Sequence, residues 1–227
     1  MRHQQTRQRT PSRAAMLELI DILSRWSATG LALIAGLGVY LALTVGRAYP
    51  ARAACWALLM LGALWVCRKL RNEFRSGGVS AGQPFHWRAS YTSCLSVLGV
   101  VFASAPILLT PAEAPTAMYL QIAAITLIGG FAAAMAHSAH LTTAAALAAP
   151  AAILPLLSAL RTGDTALMTA VVAISAMGLA VTYGLGKIIS ADAAKRNPRT
   201  TLLRRANAGA EEYAPETASA TPAASVL

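Results

Sequence analysis

The chain has 227 residues, 56% of them hydrophobic and only 12% charged, with 19 basic side chains against nine acidic ones. A soluble domain carries roughly 25% charged residues, so this composition excludes a disordered chain, a coiled coil and an ordinary water-soluble enzyme core. What it leaves is an all-α, polytopic integral membrane protein of one compact domain.

Residues 1–15 are rich in Arg and Gln, contain one Pro, and read as a disordered segment beside an anionic leaflet. From 16 to 26 the pattern changes. Glu18, Asp21 and Arg25 recur at three- and four-residue steps, while Leu17, Leu19, Ile20, Ile22, Leu23 and Trp26 are apolar. That spacing predicts a short helix lying at the interface ahead of the first span.

About 20 apolar residues cross a hydrocarbon core of roughly 30 Å, so the length of each uncharged run locates the spans. Residues 26–46 form a run of 21. Residues 53–67 form a run of 15, which reaches 19 when extended back to Tyr49 with Arg52 snorkelling toward the headgroups. Residues 89–112 give 24, and 114–160 give 47 without Asp, Glu, Lys or Arg. The last is two spans with a tight turn, placed at His137-Ser138-Ala139-His140. Residues 165–186 supply a sixth run of 22. A cleaved signal peptide is the competing reading of the first run. It is disfavoured by the run's length and by the poor cleavage context of Arg47-Ala48-Tyr49-Pro50.

Lys and Arg accumulate on the cytoplasmic side of membrane proteins. Placing both termini inside puts 16 of the 19 basic residues there and leaves Arg47, Arg52 and Arg161 outside. Trp26, Trp65, Trp87 and Tyr91 then fall at cytoplasmic span ends, and Tyr49 and Tyr119 at outer ends, as interfacial anchors do; Trp56 is not accounted for. Asp164 is placed to cap the sixth span. The loop 68–88 is broken at Gly77-Gly78 and Gly82, and its basic first half suits lipid phosphate. Beyond Gly186 the helix should continue to about Asn197 and stop at Pro198, with an unfolded Ala-, Thr-, Glu- and Pro-rich tail after Arg205. The division is therefore 1–26, a basic segment with an interfacial helix; 27–188, the six-span domain; and 189–227, a juxtamembrane helix and tail.

Candidate chemistry is sparse. Cys55, Cys67 and Cys94 form no C-x-x-C pair, and small apolar packing residues are the simplest reading of all three. His137 and His140, spaced i, i+3, would share a face if the fourth span persisted through them. The topology brings His86 and Cys67 to the same side, so His86, His137, His140 and Cys67 are the candidate ligand-binding set; independent, wetted histidines are the alternative. No metal or cofactor is assigned. No span carries Asp, Glu, Lys or Arg in its middle third, where coupled transporters keep an ionisable residue. No Walker A loop, G-x-S-x-G, H-E-x-x-H or paired intramembrane carboxylates occur, so an enzyme is not expected.

Phe85-His86-Trp87-Arg88 leading into the third span, Gly129-Gly130 in the fourth and the proline-bearing stretch 147–157 in the fifth give a layout that resembles the N-terminal six-span membrane modules of bacterial sensors. Such modules precede diguanylate cyclase or histidine kinase domains, and the resemblance covers about residues 20–195. The chain departs from that family in having neither a Gly-Gly-Asp/Glu-Glu-Phe motif nor a His-Glu-x-x-x-Pro box, so no catalytic residue carries over. The resemblance implies a bacterial inner-membrane sensory or regulatory module that signals through its last helix to a separate cytoplasmic partner. A small transporter or permease subunit is the alternative, favoured by the Pro and Gly residues of spans four and five, and a metal- or cofactor-binding membrane protein is the third. The expected partners are anionic lipid at the cytoplasmic face, the signalling protein and a second copy of the chain as a homodimer, with no nucleic acid.

Overall fold

Seven α-helices form among residues 13–77, 82–111, 114–163 and 165–212, which are the residues that the computed structural model describes. They are α1 (Arg13–Gly46), α2 (Pro50–Arg75), α3 (Pro84–Ala103), the short α4 (Ala105–Leu108), α5 (Thr116–Ala136), α6 (Leu141–Thr162) and α7 (Thr165–Glu212). Six segments are long and apolar enough to cross a membrane: α1 from Leu17, α2, α3 with α4, α5, α6 to Leu160, and α7 to Ala193. The uncharged runs predict the same six.

Local chemistry sets the boundaries. Pro50 and Pro84 open α2 and α3, where a missing N–H costs nothing. Gly77 and Gly163, at φ 77° and 66°, follow α2 and α6 in the left-handed conformation that ends helices. The third span is interrupted at Ser104, because Pro106 cannot donate to the carbonyl of Phe102. The break is stitched to α2. Trp56 Nε1 donates to the carbonyl of Val101 at 2.9 Å, and Ser104 Oγ donates to the same oxygen at 2.8 Å. This accounts for a tryptophan that no interface explains.

α5 is the axis of the bundle. Over half (56%) of its most apolar window is buried, against 17% for α7, and it packs on α1, α3, α4, α6 and α7. The other helices surround it in the order α1, α2, α3, α6, α7. Neither Gly129-Gly130 in α5 nor Pro150 and Pro155 in α6 breaks its helix. Pro150 instead frees the Ala146 carbonyl, and this oxygen lies against Gly99 of α3, only 2.8 Å from where a Cβ would stand. Glycine at this position lets the α3 and α6 backbones come together.

Three expectations are corrected. Residues 16–26 are not a separate interfacial helix: α1 is one helix, with no Gly or Pro before Gly30 to interrupt it. Leu19, Ile20 and Leu23 are buried in the bundle, while Asp21 and Arg25 pair at 2.8 Å on the exposed face. Pro198 does not end the last helix, which runs to Glu212. One lost backbone bond is affordable where the flanking sequence is rich in Ala, Leu and Arg, all strong helix formers. Trp87 and Tyr91 are not interfacial anchors but fully buried, and Tyr119 is buried as well, whereas Trp26 and Trp65 are exposed as anchors should be. The cap assigned to Asp164 and residues 1–12 and 213–227 lie outside the described residues, while the remainder of the segments expected to be unfolded, 13–15 and 206–212, is helical.

Candidate functional site

The end of the bundle that gathers Arg68, Lys69, Arg71, Arg75 and Arg88 also holds its most polar interior. α5 stops at Ala136 and α6 starts at Leu141, so residues 137–140 are the tight turn that the sequence predicts. His137 and His140 therefore do not share a helical face: His137 ends one helix and His140 begins the next.

His137 is completely buried. Its Nδ1 is 2.8 Å from the Ala133 carbonyl, which can only accept, so Nδ1 carries the proton and Nε2 accepts from the Tyr91 hydroxyl at 3.3 Å. Burial pushes the imidazole pKa down to about 4, an effect the Ala133 hydrogen bond opposes in part. The ring presses on α1 at Gly30, where a Cβ would stand 2.9 Å from Nδ1 and closer still to Cε1. Only glycine lets the two backbones approach so far.

His140 is half-buried and uses both nitrogens too. Arg88 Nη1 donates to its Nε2 at 2.8 Å, which leaves the proton on Nδ1 to be donated to Thr142 Oγ1 at 2.7 Å. Burial first, and then the Arg88 cation, lower its pKa to about 4. Both imidazoles are therefore neutral at pH 7.

Around Tyr91 the side chains form a continuous stack and a polar chain. Phe74, Trp87, Tyr91 and His137 follow one another with ring centroids 4.1, 5.1 and 6.1 Å apart. Trp87 Nε1 donates to the Leu70 carbonyl at 2.9 Å, tying α3 to α2. Ser27 on α1 stands beside the Tyr91 hydroxyl, whose own hydrogen bond goes to His137. Arg71 Nε donates at 3.1 Å both to Ser27 Oγ and to the Ser24 carbonyl. The polar chain thus runs Arg71, Ser27, Tyr91, His137, Ala133, crossing α2, α1, α3 and α5.

Of the four residues singled out in the sequence, the structure joins His137 and His140 in one turn, but each serves a different partner. His86 is exposed and joins neither of them in a hydrogen bond or ring contact among the described residues. Cys67 is fully buried in the hydrophobic core with a free thiol, as a packing residue. Among the described residues no group of three or more His, Cys, Asp or Glu is placed to hold a metal ion, and neither His137 nor His140 has a ring nitrogen to spare. The sequence reading missed Tyr91, Trp87, Arg71, Ser24 and Ser27. One signal was available: Trp87, Tyr91, Leu95, Leu98 and Phe102 recur at three- and four-residue steps, the period of a buried helical stripe, and all five are buried.

The turn also touches the last helix. At Gly186 of α7 a Cβ would lie 3.0 Å from the Ser138 carbonyl and 2.8 Å from Leu141 Cδ1. The 137–140 turn is thereby held between α1 at Gly30 and α7 at Gly186. No family model matches the chain, and no curated protein or solved structure matches it either. The functional reading rests on the bundle's own residues.

Proposed function

We propose that this chain is a bacterial inner-membrane sensory or regulatory module, with both termini cytoplasmic, that passes a change in its bundle through α7 to a cytoplasmic partner. The observation that carries this reading is the contact between the 137–140 turn and Gly186, on a helix that continues unbroken to Glu212. At 1.5 Å per residue, the part of α7 beyond Ala193 extends about 30 Å from the apolar span. A displacement of the turn would therefore be carried along one continuous helix. The transporter reading loses its main support, because α5 and α6 are not broken at their Gly and Pro residues.

The reading is tested with a photo-crosslinking amino acid at position 201 in the native host, beside a strain in which two glycines are inserted after Ser190. A crosslinked cytoplasmic partner is expected, together with a host response that the insertion abolishes although the protein still accumulates in the membrane. No crosslinked partner, and no difference between the deletion strain and its parent, would sink the idea.

A further inference from the structure

Between α1 and α2 lies an open trough of about 520 Å³. Its floor on α1 is made by Ala28, Ala32 and Ala35, whose small side chains recur along one face, and Leu61 and Leu64 of α2 form the opposite wall. At the basic end the lining changes abruptly to Trp65, Arg68, Arg71 and Asn72. A second groove bearing Lys69, Glu73 and Ser76 shares Trp65, Arg68 and Asn72 with it. We infer that this trough is a binding site for one molecule of anionic phospholipid, with an acyl chain along the alanine face and the phosphodiester between Arg68 and Arg71.

Three observations point to that occupant. The first is the way Arg71 is held. Its Nε is fixed by Ser24 and Ser27, and its Nη1 donates to Asn72 Oδ1 at 3.3 Å. No partner occupies Nη2 among the described residues. A guanidinium restrained in this way loses little freedom on meeting a phosphate. The second is charge. Neither Arg68, Lys69 nor Arg71 makes an ion pair among the described residues; Lys69 instead lies 5.3 Å over the ring of Trp65. Glu73 is the one carboxylate on either groove, so the cluster carries excess positive charge beside an apolar surface. The third is shape. A free anion would satisfy the arginines and leave the apolar trough empty, whereas an amphiphile fills both parts. A zwitterionic headgroup would bring its own cation against the cluster, which disfavours it.

The site stands apart from the signalling proposal, since its test reads bound lipid and not a host response. It does reach the same network, because the guanidinium of Arg71 begins the polar chain that ends at His137.

The full chain in detergent is titrated with palmitoyl-oleoyl phosphatidylglycerol, with phosphatidylcholine of the same acyl chains, and with inorganic phosphate, and bound lipid is counted by native mass spectrometry. One phosphatidylglycerol per chain should persist, with phosphatidylcholine held about tenfold more weakly, and millimolar phosphate should not displace it. R68Q, at an exposed position, should weaken phosphatidylglycerol by several fold, and R71Q by more. A32L, also exposed, should remove binding by filling the trough with every charge intact. Equal retention of phosphatidylcholine, displacement by phosphate, or unchanged binding in both R68Q and A32L would overturn the inference.

Discussion

Replacing Gly30 by alanine tests the packing around His137 directly. An alanine in a helix interior is favoured over glycine by up to about 1 kcal/mol, so an unconstrained site would be stabilised. Gly30 is constrained: the new methyl would overlap His137 Cε1, lie 2.9 Å from Nδ1 and come within 3.2 Å of Ala136 Cβ. The ring cannot swing away without giving up the Ala133 carbonyl or the Tyr91 hydroxyl. Overpacking of this kind costs about 1–3 kcal/mol, and weakening one buried hydrogen bond costs about 1 kcal/mol more. The helix-propensity gain offsets the second cost, leaving a net loss of about 1–3 kcal/mol. Gly36 is the internal control, since a Cβ there meets nothing within 4 Å. Burial of Cys67 supplies the assay. In a C55A/C94A background, labelling of Cys67 by a thiol reagent requires the bundle to open. Under conditions where closing outpaces labelling, G30A should label about fivefold to 150-fold faster than its parent, and G36A no faster. H137N should also cost less in the G30A background than alone, because the two changes share one contact. If G30A labels as slowly as G36A, His137 does not press on α1 and the clamped turn is wrong.

Three further outcomes follow from particular groups. His137 is held near pKa 4 against an ordinary value of 6.5, so the fold favours its neutral form. Its contribution is complete above pH 6.5, declines as pH falls toward 4 and changes no further below. The decline for His137 is at most about 3 kcal/mol, half-exposed His140 adds less, and unfolding in mixed micelles between pH 7.5 and 4 should show a shallower slope for H137Q than for wild type. G99A would set a methyl 2.8 Å from the Ala146 carbonyl and 3.3 Å from Leu147 Cα; backbone yields less than a side chain, so thermal unfolding should reveal a loss of about 1–3 kcal/mol. W87F keeps the ring between Phe74 and Tyr91 but deletes the indole donor to Leu70, and should lose about 1 kcal/mol by the same measurement, against about 3–5 kcal/mol for W87A.

The six spans were legible because the cost of burying a charge in hydrocarbon writes itself into the sequence as uncharged runs, and the 137–140 turn because 47 uncharged residues exceed one crossing. The interior was much less legible. In a chain where both lipid-facing and core positions are apolar, hydrophobicity does not separate α5, at the axis, from α7, at the rim. Trp87 and Tyr91 show the difficulty well: near a span end an aromatic residue can anchor at the interface or pack inside, and only the stripe continuing to Phe102 favours packing. Residues 16–26 misled for a related reason. Their charges do lie on the exposed face, but Leu19, Ile20 and Leu23 find helices to pack on instead of headgroups. Gly30 and Gly186 carried no visible signal, since each is one of 16 glycines and its meaning lies in what stands opposite.

The position of the polar chain bears on how the proposed signalling would work. Polar groups within the apolar bundle need partners, and from Arg71 through Ser27, Tyr91 and His137 to Ala133 each member has one. A chain so fully satisfied resists piecemeal change. Moving Arg71 away from Ser27 withdraws a donor from the serine that lies beside Tyr91. The tyrosine can then turn toward Ser27 and release His137 Nε2, leaving the imidazole held only by Ala133 and by contact with Gly30. Because the turn is confined by α1 on one side and α7 on the other, with no side chain at Gly30 or Gly186 to absorb a shift, movement of His137 would be felt at both helices by direct contact. Coupling by contact needs no charge in the middle of the membrane. On this reading, the charge-free spans that count against a transporter fit a bundle that works at its basic end.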